Sequence, residues 1–156
     1  MSFLLTLLMI TMQFFTPKAT YRNHDKALLP DPKVTPGVMS SLSKDVVCST
    51  KWGQDARHVT PEMKDRVCVS YGLKPHCYGH TTYEIDHLVS RELGGIDDIK
   101  NLWPQPYFQH PGAHEKDTVE NWLHKQVCLG KISLPDAQRQ IATDWYQVYL
   151  TMESAK

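Results

Sequence analysis

The sequence predicts an α+β domain organised on a strand, a long loop, a second strand and a helix, with further helices around that unit. Three observations predict it. Residues 81–89 are dense in β-branched and aromatic types and alternate, with Tyr83, Ile85, His87 and Val89 on one face and Glu84, Asp86 and Leu88 on the other. Gly94-Gly95 breaks that run, and a second extended stretch over 101–104 follows, closed by Pro104. From Ala113 the apolar spacing turns helical: Val119, Trp122, Leu123, Gln126 and Val127 form one stripe, which stops before Gly130.

The chain opens on an apolar run over 3–15, broken by Thr6, Thr11 and Gln13. A bilayer span takes about 20 residues, so the run is too short to cross one. It has the length of a signal-peptide core, although no Lys or Arg precedes it. Residues 1–19 are therefore expected to be a leader, with Ala19 its best last residue. The alternative is a helix packed on the domain. Residues 20–43 carry Pro30, Pro32 and Pro36 and little periodicity, which predicts an extended arm lying on the surface. A single domain is expected over 44–150, since 156 residues suit one modest core.

Within that domain, Val46-Val47-Cys48 reads as a short strand. Thr60-Pro61-Glu62 is a helix start, with Thr as N-cap, Pro at the first position and an acid in the first turn. Met63, Val67 and Tyr71 share a face of that helix, which Gly72 ends. A last helix begins at Ser133-Leu134-Pro135-Asp136 and presents Ala137, Ile141, Trp145 and Val148 to the core.

Four cysteines, an even number in a short chain, predict two disulfides and an oxidising compartment, secreted or periplasmic. Three pairings are open. Cys48 with Cys128 and Cys68 with Cys77 is the favoured set: the second closes a short loop before the first strand, and the first ties the N-terminal segment to the helix end. The rival is zinc held by Cys68, His76, Cys77 and His80, although an adjacent His-Cys pair is not a usual structural-zinc spacing. Seventeen basic and seventeen acidic residues leave no net charge. That counts against tight non-specific nucleic-acid binding by phosphate neutralisation and leaves room for a local basic patch.

Asp86-His87, Gly94-Gly95, Asn101-Leu102-Trp103-Pro104 and a following helix with His114 and Lys116 occur in this order. The segment resembles the HNH, or ββα-metal, nucleases. The likeness runs from about Leu29 to Trp145 and is strongest to small bacterial HNH endonuclease-like proteins that carry a leader. The resemblance implies a hairpin–loop–helix core holding one divalent cation, Mg²⁺ first, with Mn²⁺ or Zn²⁺ as substitutes. It implies His87 as general base, Asp86 as metal ligand, Asn101 as the residue that ties the loop and orients His87, and His114 as second ligand. Here Lys116 follows His114 by two residues, where the familiar motif has three, so Glu120 and Asn121 are further candidates for that ligand.

The chemistry agrees with those residue types. Hydrolysis of a phosphodiester needs a base that titrates near neutrality, which is what an imidazole offers, and a cation to stabilise charge on the phosphate and the leaving oxygen. Mg²⁺ takes few protein ligands and keeps several waters. A regular strand, however, would send Asp86 and His87 to opposite faces, so the chain must bend at the strand end. Glu84 shares a face with Asp86 and is expected to support the site. Arg91, Lys116 and Lys125 are expected to contact phosphate, and His114, Asp117, Asn121 and Lys125 to form the polar side of the helix. The expected function is a metal-dependent endonuclease of low sequence specificity on nucleic acid, with DNA favoured over RNA. The alternatives are a non-catalytic, disulfide-stabilised binding or structural module that keeps the hairpin, and a zinc-stabilised intracellular domain.

Overall fold

The structure is a computed structural model describing residues 19–155; the apolar run over 3–15 lies outside the described residues. The chain folds as α+β, with two two-stranded antiparallel sheets and four helices among the described residues. In chain order these are β1 (Arg22–His24), β2 (Ala27–Leu29), α1 (Lys44–Ser49), α2 (Pro61–Ser70), β3 (Tyr83–His87), β4 (Leu102–Pro106), α3 (Ala113–Cys128) and α4 (Leu134–Ser154).

The β3–β4 hairpin sits at the centre, with Asp86 opposite Trp103 and His87 opposite Leu102. Ile85 and Leu102 pack on Val67 and Cys68 of α2. That helix begins as the sequence predicts: Thr60 Oγ1 accepts the Met63 amide and Pro61 opens the first turn. Trp103 and Leu88 pack instead with Tyr71 and, from the arm, Tyr21 and Val34. The main core lies between α3 and α4, where Val119, Leu123 and Val127 meet Ala137, Ile141 and Trp145. α4 is broken at Asp144 (φ −163°, ψ 87°), and the β1–β2 hairpin docks there. His24 Nδ1 lies 2.7 Å from Asp144 Oδ2, and Arg22 donates to the Thr143 carbonyl at 3.0 Å.

Two expectations need correction. Residues 46–48 are helical, not a strand. Ser43 caps α1 by accepting the Val46 amide, and Val47 is fully buried, so capping and tertiary burial override the β preference of a Val pair. The arm is also more than an extended wrap. It contains the β1–β2 hairpin, and it then laces onto the loop between β3 and β4. Gly37 donates to the Lys100 carbonyl, Ser40 donates to Gly94, Ile96 donates to Val38, and Met39 bridges Gly95.

Both disulfides form in the favoured pairing. Cys48 joins Cys128 across 80 residues with Cα atoms 5.6 Å apart, and Cys68 joins Cys77 across 9 residues with Cα atoms 5.9 Å apart. Cys68 and Cys77 are therefore not zinc ligands, and two disulfides suit an oxidising environment. No helix among the described residues is long and apolar enough to cross a membrane.

Candidate active site

Asp86 and His87 line the same cleft, although strand alternation would part them. The reason is local. The ladder ends at His87, and the chain bends at Leu88 and Val89. The cleft encloses about 390 Å³. It is lined by Asp86, His87 and Glu92, by Asp117, Glu120 and Asn121 of α3, and by a wall from the loop between Trp52 and Arg57. That wall is pinned to the hairpin. Arg57 Nη2 donates to the Ile85 carbonyl at 2.7 Å, Arg91 pairs with Asp55, and Arg91 Nη2 donates to the Ala56 carbonyl at 2.7 Å. Ser90 Oγ and Glu92 Oε1 are buried in the cleft wall with no hydrogen-bond partner among the described residues. Such orphans are rare in finished cores and common where a ligand, ion or water belongs.

The bend is held by Asn101. Its side chain is fully buried and uses all its common bonding positions. Oδ1 accepts the Val89 amide at 3.0 Å and the Val38 amide at 3.3 Å, while Nδ2 donates to the carbonyls of Val89 (3.0 Å) and Ile96 (3.1 Å). The Leu88 amide also donates to the Asn101 carbonyl at 2.7 Å. The two glycines let the loop approach this closely. Gly94 has φ +84°, and a Cβ on Gly95 would sit 1.8 Å from the Val89 carbonyl oxygen.

His87 is 5% exposed, and its Nε2 lies 2.7 Å from Asp97 Oδ1. Asp97 comes from the loop, and its Oδ2 also accepts the His58 amide at 2.5 Å. Burial opposes the Asp97 carboxylate, but the His58 amide and the His87 ring outweigh it and hold the acid below its ordinary range. Burial pushes His87 below the usual imidazole value, against the pull of Asp86 and Asp97. An ionised Asp97 takes Nε2–H, which selects the tautomer with a basic Nδ1.

Next to this pair is a knot of carboxylates around one ammonium. Lys116 is fully buried; Nζ lies 2.6 Å from Asp86 Oδ2 and 2.7 Å from the His87 carbonyl, and it also bonds Glu120. Burial works against this charge, but Asp86 and Glu120 outweigh it and hold Lys116 protonated. The acids outnumber the cation. Burial, then the charge of Asp86 and Asp117, pushes Glu84 up to about 7. Burial first, with Asp86 second, also raises Asp117, and burial raises Glu92. Glu120 is displaced upward by its burial despite Lys116.

Of the residues expected to act, the fold brings Asp86, His87 and Arg91 into one cleft, with Asn101 beneath it. Glu84 faces the adjoining cleft beside Asp117. His114 does not join them: it is exposed, and its ring packs on Tyr107 with centroids 4.8 Å apart. The helix turn that faces Asp86 carries Lys116, Glu120 and Asn121 instead. Lys116 cannot touch a phosphate because its charge is buried and bound to two carboxylates. Lys125 is exposed and outside the cleft lining. Asp97 and Arg57 escaped sequence reasoning. The one signal for Asp97 was an acid pair, Asp97-Asp98, directly after the glycine break. Cys48, His124 and Cys128 also converge within 4.8 Å, but a disulfide consumes both sulfurs, so they form no metal site in the oxidised protein. No family model, no curated protein and no solved structure matches this chain.

Proposed function

We propose that this protein is a metal-dependent endonuclease of the HNH type, hydrolysing phosphodiester bonds in DNA with low sequence specificity. The observation that carries the reading is the junction in one cleft of an Asp97–His87 pair with a set of hard oxygen donors, Asp86 and Glu120, delivered by a strand–loop–strand–helix unit that Asn101 ties together.

Asp86 and Glu120 are the residues that would hold a divalent cation, with water completing its shell, since among the described residues no three His or acid groups of this cleft lie within 4.8 Å of one another. Asp86 spends Oδ2 on Lys116 and leaves Oδ1 uncommitted among the described residues; Asp117 and Asn121 stand alongside, and the carboxylates repel one another beyond what Lys116 neutralises. Oxygen donors of this kind suit Mg²⁺ or Mn²⁺ better than Zn²⁺. A bound cation would supply charge stabilisation at the phosphate and the leaving oxygen.

The rest is the work of the chain. His87 Nδ1 accepts a proton from the attacking water, and Asp97 stabilises the imidazolium that results and fixes the ring. Lys116 keeps Asp86 ionised and aimed, which makes it a positioning residue. Arg57 and Arg91 stand on the facing wall, where a phosphate oxygen would be met.

One observation favours the alternative, a non-catalytic binding module: the Lys116 ammonium already bridges Asp86 and Glu120. Nicking of supercoiled plasmid in a Mg²⁺, Mn²⁺ and Zn²⁺ series decides between the two. The nuclease reading expects cutting with Mg²⁺ or Mn²⁺. It expects loss on the order of 10²–10⁴ in His87→Ala with metal affinity kept, and loss of both cutting and metal affinity in Asp86→Ala. Plasmid and single-stranded DNA both left intact with every metal would leave the binding module.

A further inference from the structure

The cleft at His87 has a neighbour. Arg57 and Asp117 line both it and a second cleft of about 440 Å³, so the two adjoin as halves of one lined surface. The chemistry changes along it. The half at His87 is carboxylates and arginines, whereas the second half is lined by Tyr78, Tyr83 and Tyr107 together with His80 and Lys64. Phe108 extends the aromatic line: it is 62% exposed and meets Tyr83 at 6.3 Å between centroids and 72° between planes. His80 meets Tyr107 in the same way, at 5.6 Å and 75°. Lys64 lies over the Tyr78 ring at 5.0 Å and Tyr107 meets His114 as well as His80, so these rings brace the shelf and the exposed Phe108 is the ring most open to a base.

Two facts narrow what such a groove can hold. A duplex keeps its base faces stacked inside, so only unpaired bases can lie on a protein ring. The groove is also poor in cations. It offers Arg57, Lys64 and Arg91, the last already paired with Asp55, against Glu84, Asp86, Glu92, Asp117 and Glu120. Duplex binding that rests on neutralising roughly six to ten phosphates has too little to work with here. Stacking, which does not depend on net charge, can supply what the cations lack.

We infer that the aromatic half of the groove is a subsite for single-stranded nucleic acid, stacking unpaired bases next to the phosphate presented to His87. The inference rests on the nuclease reading for what happens at His87, while the subsite itself binds without metal and is measured without it.

The test is fluorescence anisotropy in EDTA, with labelled single-stranded DNA of about 16 nucleotides and the same sequence as a duplex. The single strand is expected to bind at least about ten-fold more tightly than the duplex. Phe108→Ala and Tyr107→Ala are each expected to weaken single-strand binding about ten-fold, the scale of one stacked base. Phe108→Trp should keep it. Phe108 is largely in solvent, so its variants report on binding even if Tyr107→Ala perturbs the fold. Equal or tighter duplex binding overturns the inference, as does unchanged single-strand binding in Phe108→Ala. The two readings fail separately. Metal-dependent nicking without aromatic-dependent single-strand binding removes the subsite and keeps the nuclease. Aromatic-dependent binding with no cutting in any metal does the reverse.

Discussion

Asn101→Ala is the most informative single change in this protein. It deletes four hydrogen bonds, to Val89 N, Val38 N, Val89 O and Ile96 O, from a side chain with no exposed surface. A typical bond contributes about 1 kcal/mol net, and each buried group left unpaired costs about 1–3 kcal/mol unless water reaches it. Four bonds give about 4 kcal/mol, with the lower end near 3 kcal/mol if the loop opens enough to admit water. That is a large part of the 5–15 kcal/mol that holds a typical domain together, and it should lower Tm by about 10–15 °C at this chain length. The assay is urea unfolding of the oxidised protein, followed by tryptophan fluorescence from the buried Trp103 and Trp145. Asn101→Asp is the control. It keeps the acceptor for the two amides but aims an oxygen at two carbonyls, so it should cost at least as much at neutral pH. The reasoning is refuted if Asn101→Ala loses less than about 1 kcal/mol, because the loop would then be holding its shape without the clamp.

Lys116→Met should cost about 3 kcal/mol, the low end for a broken buried pair, since it leaves Asp86 and Glu120, half-buried at the cleft, without their shared cation. Mn²⁺ should then raise its melting temperature more than it raises the parent's, and equal shifts would count against a cation site there. Nicking should rise with pH with its midpoint below the ordinary imidazole value of 6.5, because burial depresses His87 and only the neutral ring accepts a proton. The same depression has a sign in stability: the folded chain binds this proton less readily than the unfolded chain, so stability falls as pH drops from about 6.5 towards the folded value. An activity midpoint above 6.5 in a pH–rate profile would contradict the assignment. Finally, loop entropy predicts that replacing Cys48 and Cys128 with Ser costs about 4–5 kcal/mol, against about 2–3 kcal/mol for Cys68 and Cys77, since the closed segments span 80 and 9 residues. Denaturation of the two double variants would show the order, and a reversal would point to structure retained in the unfolded chain.

Much of the fold was legible because its signals are local. Thr60 and Ser133 cap the helices they announce, Gly94-Gly95 marks the loop, and the α3 stripe of Val119, Leu123 and Val127 is buried as its period requires. Both disulfides could be favoured from loop sense alone. The candidate site was legible only where the chain order carries it, at Asp86, His87 and Asn101. The rest depends on contacts that no local pattern encodes. Lys116 reads as a surface charge until Asp86, thirty residues away, is folded against it. Asp97 looks like any loop acid until the bend at Leu88 brings His87 to it. His114 was named for its place in the first turn, but on a helix two positions are about 200° of rotation, and it is Lys116 that turns inward.

The lacing of the N-terminal arm bears on when this chain can fold. Val38 finds its partner 63 residues later at Asn101, Tyr21 bonds the Pro104 carbonyl 83 residues on, and Arg22 reaches Thr143 across 121 residues. Contacts so distant along the chain make folding slow relative to local helix formation. A nascent chain that ends at Asn101 can already close the loop on Val38, but it has no Pro104 or Thr143 carbonyl to anchor Tyr21 and Arg22. The start of the arm is therefore fixed only once α4 has been made, later than the loop beside His87, whose Asn101 bonds all lie within the first 101 residues.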